Sequence, residues 1–219
     1  MTFAMTDEQT MLRDTVRSLI EDKAPSARVR EVMESESGVD SDLWQAMAEM
    51  GLQGMHIPEE HGGAGFTALE VGIVVEELGR SVVPVPYFSS VVLGATTLLL
   101  AGSDEQQAAV LPGVAAGEMR LALAITEEGR SWEPSDIAME ATADGDSIVL
   151  TGAKSYVIDG HTAGSLIVSA REGSGVSLFL VPADAPGLTR HRIETMDMTR
   201  QQATVRFDSV RVPASSRIG

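Results

Sequence analysis

The hydrophobic pattern of the 219-residue chain changes period near Gly117, and this change limits the possible folds more than any other feature. Before Gly117, apolar residues recur three and four positions apart behind helix-capping sequences such as Thr67–Glu70. After it, they form short runs rich in β-branched side chains. We therefore predict a multi-domain α+β protein, with an all-α domain over residues 1–119 and an antiparallel β-barrel or sandwich over residues 120–219.

Capping residues and helix breakers divide the first domain into predicted helices. The nearly continuous apolar segment from Phe88 to Ala101 predicts a buried helix. Pro112 is expected to end the last helix, because proline removes a backbone donor. The other predicted helices begin at four capping residues, Thr6, Ser41, Thr67 and Ser103.

Short apolar runs in the second domain predict strands, and their regular spacing disfavours alternating βαβ units and hence a Rossmann fold. The Asp144-Gly145 pair predicts a hairpin turn, since such pairs adopt the positive φ angles of a two-residue turn. The predicted strands cover residues 121–125, 147–150, 165–170, 176–181, 203–207 and 210–212.

Composition limits the partners of the chain. It has 16 Lys and Arg against 32 Asp and Glu, a formal net charge of -16, so nucleic acid is not an expected partner. The absence of cysteine excludes disulfides and thiolate metal sites. The first residues lack a signal-peptide pattern, and no apolar run reaches the roughly 20 residues of a membrane span. We expect a cytoplasmic protein without a membrane span.

Residues that often carry chemistry form no recognisable catalytic or metal motif. The glycine-rich segment at residues 60–65 lacks the Lys-Ser/Thr of a P-loop, so a turn is the better interpretation. The four histidines are not spaced as metal ligands, and no serine lies in a strand-turn-helix elbow. These patterns predict neither a metal site nor a catalytic triad.

Three segments carry motifs that occur together in one enzyme family. Met50–Arg80 contains Pro-Glu-Glu, Gly-Gly-x-Gly and Glu-Glu-Leu-Gly-Arg; residues 124–127 are Ala-Ile-Thr-Glu; and Arg206–Gly219 has the pattern of a strand and exit. In this order and spacing, they resemble the first-domain helix-turn-helix, the flavin-binding turn and the closing middle-domain strand of acyl-CoA dehydrogenases. The resemblance covers essentially the whole chain.

The resemblance implies a reaction and a cofactor. Acyl-CoA dehydrogenases hold FAD between the middle domain and a C-terminal helical bundle, and they oxidise the Cα–Cβ bond of an acyl-CoA thioester. A Glu of the bundle removes the Cα proton, and the flavin accepts hydride from Cβ. This sequence stops at Gly219, about where the bundle begins in the family. We therefore expect it to contain no catalytic residue and to be inactive alone.

The resemblance also implies which residues contact FAD. The turn that meets the flavin ring and the pyrophosphate maps onto Ile125 and Thr126, with Ser135 at its far end. The second flavin-facing segment maps onto Tyr156 and Ile158, where the family usually has Trp and Thr. Tyr156 keeps an aromatic wall, whereas Ile158 lacks the hydroxyl that the family directs at the flavin.

Two departures from the family pattern leave other functions open. Glu128–Pro134 is longer than the usual Pro-Gly-Ala-Gly and lacks its paired small residues, and Ile158 lacks a hydroxyl. The alternatives are a non-catalytic partner subunit of a heteromeric acyl-CoA dehydrogenase and a flavin-dependent monooxygenase of the same architecture. The expected partners are an acyl-CoA substrate and either further copies of the chain or a complete homologue in a hetero-oligomer.

Overall fold

Helices make up the first part of residues 4–219, the range that the computed structural model describes. No helix within that range has the length and apolar character needed to cross a lipid bilayer. The predicted all-α amino-terminal part is confirmed. The helices are α1 (Asp7–Lys23), α2 (Ser26–Met33), α3 (Ser41–Glu49), α4 (Ala68–Arg80), a π-helix (Phe88–Ala95), α5 (Thr96–Ala101) and α6 (Asp104–Ala115).

Side-chain caps begin four of these helices, and three of the four caps were predicted. Capping boxes, in which a side chain bonds to the first turn and a Gln or Glu bonds back, start α1, α4 and α6 at Thr6, Thr67 and Ser103. The prediction that Ser41 caps α3 is wrong, because Asp40 takes that role. The Asp40 carboxylate accepts from the Leu43 amide at 3.2 Å and pairs with Arg28 at 2.9 Å. A charged acceptor makes the stronger hydrogen bond.

Tertiary packing changes the remaining helices from their predicted form. α2 follows Pro25, where the pattern predicts only an interruption, and it buries two valines. α6 continues through Pro112 to Ala115, so the prediction that it ends before Pro112 is wrong. The apolar side chains buried by its last turns offset the hydrogen bond lost at proline. The segment Phe88–Ala101 begins as a π-helix and becomes α-helical at Thr96.

Eight strands form one sheet in the second part of the described chain; seven follow the order β6-β7-β3-β2-β4-β5-β8, and β1 lies off this path beside β4. Most pairs are antiparallel, but β1 pairs with β4 in parallel, so the sheet is mixed. The predicted α+β class is confirmed. The strands are β1 (Leu121–Ala124), β2 (Glu140–Asp144), β3 (Ser147–Ile158), β4 (Ser165–Glu172), β5 (Gly175–Pro182), β6 (Leu188–Ile193), β7 (Gln202–Pro213) and β8 (Arg217–Ile218).

The observed strands differ from the predicted ones in number and length. The predicted hairpin between β2 and β3 is present, but its two-residue turn is Gly145-Asp146, one residue later than predicted, because Asp144 still pairs with Ser147. β2 and β6 were not predicted, because exposed polar residues interrupt their apolar pattern, and β8 is only two residues long. β7 joins two predicted strands, and β3 extends to Ile158. Helix gives way to strand between Ala115 and Leu121, while the domain division at residues 119 and 120 stays a prediction.

Three buried apolar clusters hold the fold together. One lies within the sheet part, and another lies among α1, α3, α4 and the segments beside them. The third contains Leu98 and Leu111 from the helices together with Leu121, Ile167 and Ile218 from the strands. This joining cluster fixes the helical part against the first residues of β1 and β4, so groups at that junction have defined positions.

Candidate functional site

The carboxyl end of β1 lies against the second half of β3. The Thr126 carbonyl accepts a hydrogen bond from the Ser155 amide at 2.9 Å. One residue earlier, the Ile125 carbonyl lies 3.4 Å from Nζ of Lys154. The structure therefore brings the predicted site residues Ile125 and Thr126 next to the segment that carries Tyr156.

Tyr156 occupies an irregularity in β3. The pairing register with β7 shifts between Lys154 and Val157, and Tyr156 has φ 58°, a left-handed conformation that is uncommon for a bulky residue. Its side chain remains 50% exposed, while Val157 is buried. Backbone strain of this kind often marks a position where a side chain is held for binding.

Ile125 and Tyr156 leave apolar surface exposed at this place, and Thr126 and Tyr156 each carry a hydroxyl. Ile125 is 41% exposed and Tyr156 is 50% exposed, and Thr126, which is partly buried, lies between the exposed Ile125 and the buried Glu127. Ile158 is partly buried at the end of β3, where it pairs with Gln202. Four of the five predicted site residues thus lie along two adjoining strand segments.

Ser135 is held differently from the other predicted site residues. It lies in an exposed turn, Pro134–Asp136, and its carbonyl accepts from Arg171 of β4 at 2.9 Å. Within the preceding loop, Arg130 donates to the Asp136 carbonyl at 3.1 Å, and the Ser131 hydroxyl donates to the Asp136 carboxylate. The loop is ordered by its own contacts and by β4, with its side chains mostly exposed.

A buried ion pair lies directly beneath the Ile125–Thr126 turn, and sequence reasoning missed it. Lys154 is fully buried, and its Nζ lies 2.7 Å from the Glu127 carboxylate and 3.0 Å from the Ser169 hydroxyl. Glu127 also accepts from the amides of Ala138 and Met139 at 2.9 and 3.0 Å. A signal was present, because Lys154 lies in phase with the buried Ile148 and Leu150 of β3.

Hydrogen bonds and the opposite charge of the partner stabilise both charges of this buried pair. Burial raises the pKa of the Glu127 carboxyl, but hydrogen bonds from Lys154 and from two backbone amides outweigh burial and leave the pKa below its usual value. Burial lowers the pKa of Lys154, and the adjacent carboxylate offsets part of that effect. The pair therefore forms a rigid, charged support for the turn above it.

A second buried carboxylate lies where β3 meets the helices. Asp159 accepts from the Ser89 hydroxyl of the π-helix at 2.6 Å, and Arg200 lies 3.8 Å away. Arg200 also donates to the Val85 carbonyl at 2.9 Å, so it joins the helical and β-rich parts. Burial raises the pKa of Asp159, and Ser89 and nearby positive groups offset only part of that rise. The sequence prediction left Arg200 out of the site.

Family models match nearly the whole chain. The acyl-CoA dehydrogenase N-terminal domain matches residues 6–118, and the acyl-CoA dehydrogenase middle domain matches residues 122–210. The chain belongs to the acyl-CoA dehydrogenase family. The predicted family resemblance is thereby confirmed, and the strand end at Ile125–Thr126 lies near the start of the matched middle domain.

Individual acyl-CoA dehydrogenase relatives agree with this assignment. Probable acyl-CoA dehydrogenase YngJ of Bacillus subtilis (strain 168) is 30% identical over 230 residues, covering 100% of this chain and 60% of the relative. The ChsE4-ChsE5 complex of Mycobacterium tuberculosis contains a chain with TM-score 0.91 and 30% identity, covering 100% of this chain and 58% of that one. A glutaryl-CoA dehydrogenase of Mycobacterium smegmatis in complex with FADH2 gives TM-score 0.83 and 26% identity, covering 97% and 55%. This chain spans about 60% of the length of the relatives it matches.

Proposed function

We propose that the chain supplies the helical and middle domains of an FAD-dependent acyl-CoA dehydrogenase that introduces a Cα–Cβ double bond into an acyl-CoA thioester. The observation that carries this proposal is the exposed surface formed by Ile125, Thr126 and Tyr156 at the β1–β3 junction. Family membership and a solved relative that holds FADH2 support it.

The residues present fit a flavin ring better than they fit its phosphates. Tyr156 and Ile125 offer a half-exposed aromatic and aliphatic face, on which a planar ring system can pack. Thr126 directly follows Ile125, and its hydroxyl is the proposed hydrogen-bond donor to the ring edge. Ile158 adds apolar surface only. When bound, FAD supplies the hydride acceptor, while these side chains orient it and exclude water.

The described residues offer few hydrogen-bond donors to the phosphates of the cofactor. The net charge of -16 gives no long-range attraction for an anion, so phosphate must be held by local donors. In the proposal, the exposed Ser135 hydroxyl is one such donor, at the far end of a loop that folds on itself through Arg130 and Asp136. FAD binding by these residues alone is therefore expected to be weak.

The reaction also needs a base that removes the Cα proton of the substrate. We assign no catalytic residue within residues 4–219, and we expect the carboxylate to come from the portion of the family that extends beyond the matched 60% of the relatives. The acyl-CoA substrate is expected to bind against the flavin from that side. On this view, the described residues bind and orient, and the base is supplied separately.

Titration of the 219-residue protein with FAD tests the cofactor part of the proposal. Quenching of flavin fluorescence is expected, and Tyr156→Ala should weaken binding about tenfold, as for loss of one aromatic stacking contact. Thr126→Val should weaken it less, because only a hydroxyl is lost. Thr142→Ala, at an exposed position of β2, is the matched control. Equal affinity of the Tyr156 variant and the control would contradict the assignment.

A dye-coupled acyl-CoA oxidation assay on the same protein tests the assignment of the base. No turnover is expected from the 219 residues alone, because nothing in the proposal gives them a base. Tight, stoichiometric FAD together with turnover would show that the assignment is wrong. Circular dichroism checks that the protein assayed is folded.

A non-catalytic partner subunit is the second candidate function. The observations that favour it are the missing hydroxyl at Ile158, the loop Glu128–Pro134, which lacks paired small residues, and the similarity to a chain of the ChsE4-ChsE5 complex. Co-expression with a complete acyl-CoA dehydrogenase from the same genome, followed by affinity purification, provides the test. A stable complex whose flavin content depends on Tyr156 supports this candidate, whereas recovery of the chain alone argues against it.

A further inference from the structure

Three successive residues at the end of β1 are each tied to β3 or to a group that β3 carries. The Ile125 carbonyl is approached by Lys154 at 3.4 Å, the Thr126 carbonyl accepts from the Ser155 amide at 2.9 Å, and the Glu127 carboxylate pairs with Lys154 at 2.7 Å. Two of these three ties depend on one ammonium group. Removing it leaves a single backbone hydrogen bond to hold the turn against β3.

The ammonium group of Lys154 is fully committed inside the protein. Its three donors face Glu127, Ser169 and the Ile125 carbonyl, and the side chain has no exposed surface. It cannot touch a ligand at the exposed face. Any effect that it has on binding must therefore act through the turn at 125–127.

Glu127 extends the same support to the return segment of the chain. Its two carboxylate oxygens accept the amides of Ala138 and Met139, immediately before β2. Both ends of the loop 128–137 are thus held at one carboxylate. The ion pair consequently sets the positions of the turn, the loop base and β3 relative to one another.

We propose that Lys154 and Glu127 are positioning residues, which hold the Ile125–Thr126 turn and Tyr156 at the separation needed to bind the flavin ring. This inference rests on the proposed function. Stability alone does not account for the pair, because a buried ion pair contributes little or nothing more than apolar side chains of similar volume. What the pair adds is a fixed geometry, since each of its bonds has one direction and one length.

Amide hydrogen exchange followed by NMR tests the geometric part without any ligand. In Lys154→Met, the Ser155 amide, which donates to Thr126, is expected to exchange at least about tenfold faster, while amides of the β4–β5 pair keep their rates. Asp144→Asn, which removes an exposed partner of Arg211, is the control and should change neither set. Uniformly faster exchange, or an unchanged Ser155 amide, would overturn the inference.

A second variant keeps the test decisive if Lys154→Met does not fold. Glu127→Gln keeps the shape of the side chain and removes its charge, so the same local increase at Ser155 is expected in a milder form. Failure of both variants to fold would assign the pair to the stability of the β-rich part and overturn the inference.

FAD titration separates this inference from the proposed function. Lys154→Met is expected to bind FAD on the order of tenfold more weakly than the wild type, the usual cost of losing groups that orient ligand-contacting residues. Wild-type affinity in a folded Lys154→Met protein would refute the inference and leave the proposed function standing. Absence of FAD binding by the wild type would refute the proposed function and the flavin part of the inference together, while the exchange rates would still report whether the pair fixes the turn.

Discussion

Glu127 and Asp159 are both buried carboxylates near the second half of β3, but their hydrogen-bonding needs are met to different degrees. Glu127 has a lysine and two backbone amides as close partners. Asp159 has one serine hydroxyl at 2.6 Å and an arginine at 3.8 Å. Accordingly the pKa of Glu127 is lowered and the pKa of Asp159 is raised, although burial acts in the same direction on both.

This difference shows that burial alone does not determine the free-energy cost of holding a charged side chain inside the protein. Where hydrogen bonds are complete, the charged form is favoured and the surrounding backbone becomes rigid. Where they are incomplete, the charge remains costly, and the contact is sensitive to pH. The complete site lies within the β-rich part, and the incomplete one joins it to the helices through Ser89 and Arg200.

The largest effect is expected from removing the better satisfied carboxylate. Glu127→Leu leaves the Lys154 ammonium buried without its counter-ion and two amides without their acceptor, at a cost of about 3–5 kcal/mol of unfolding free energy. Urea unfolding measures the loss. The double variant Glu127→Leu with Lys154→Met should be less destabilised, because no charge then remains buried; a double variant as unstable as the single one would show that the comparison is wrong.

A smaller loss is expected at the contact between the two parts. Ser89→Ala removes the only hydroxyl donor that residues 4–219 place close to Asp159, and the cost should be about 1–3 kcal/mol at pH 7. The pKa of Asp159 should rise further, because its charged form loses a donor. Urea unfolding at pH 7 and at acid pH provides the measurement, and a loss that is equal at both would contradict this account.

Asp159→Asn is expected to leave the free energy of unfolding at pH 7 unchanged or to increase it, whereas Ser89→Ala decreases it. The folded pKa of Asp159 is raised above its usual value of 3.8, so the stability that it contributes is complete below that pH and is lost as pH rises through the folded pKa. The neutral variant should match or exceed the wild type at pH 7, and its advantage should disappear on acidification. Unfolding midpoints from pH 4 to 8 give the difference. Arg200, His161 and Arg120, the positive groups that face Asp159, are present in both proteins. If Asp159→Asn became more stable relative to the wild type towards acid pH, the assignment of a costly charge to Asp159 would be wrong.

The smallest effect is expected from an exposed ion pair. Asp144 and Arg211 lie 2.5 Å apart on the surface, and Asp144→Asn should change the unfolding free energy by less than about 0.5 kcal/mol. Thermal unfolding at low and high salt checks this value. If Asp144→Asn lost as much unfolding free energy as Ser89→Ala, burial would not explain why the carboxylates of Asp144 and Asp159 differ in their effect on stability.

Features set by neighbouring residues could be predicted from the sequence. The capping boxes at Thr6, Thr67 and Ser103 depend on contacts within three or four residues, and the structure has them as predicted. The hairpin after β2 is also local, and its turn was predicted one residue too early. The cap at Asp40 was assigned to its neighbour, because Arg28, which holds that carboxylate, lies on another helix.

Features set by distant residues could not be predicted in this way. Lys154 and Glu127 meet only because β1 and β3 adjoin, and Ser89 reaches Asp159 only because a π-helix packs against the end of β3. The left-handed backbone of Tyr156 follows from a register shift, which no local pattern reports. The flavin-facing roles of Ile125, Thr126, Ser135, Tyr156 and Ile158 stay predictions.

The parallel pairing of β1 with β4 has a consequence for how the chain folds as it is synthesised. The helices up to Ala115 can pack as soon as they emerge, whereas β1 has no partner until β4 has been made. Until then the joining cluster lacks Ile167 of β4, so that side of the cluster stays open to water. Non-local pairing of this kind slows folding, so the junction between the helices and the sheet is the last part of the nascent chain to become protected from aggregation.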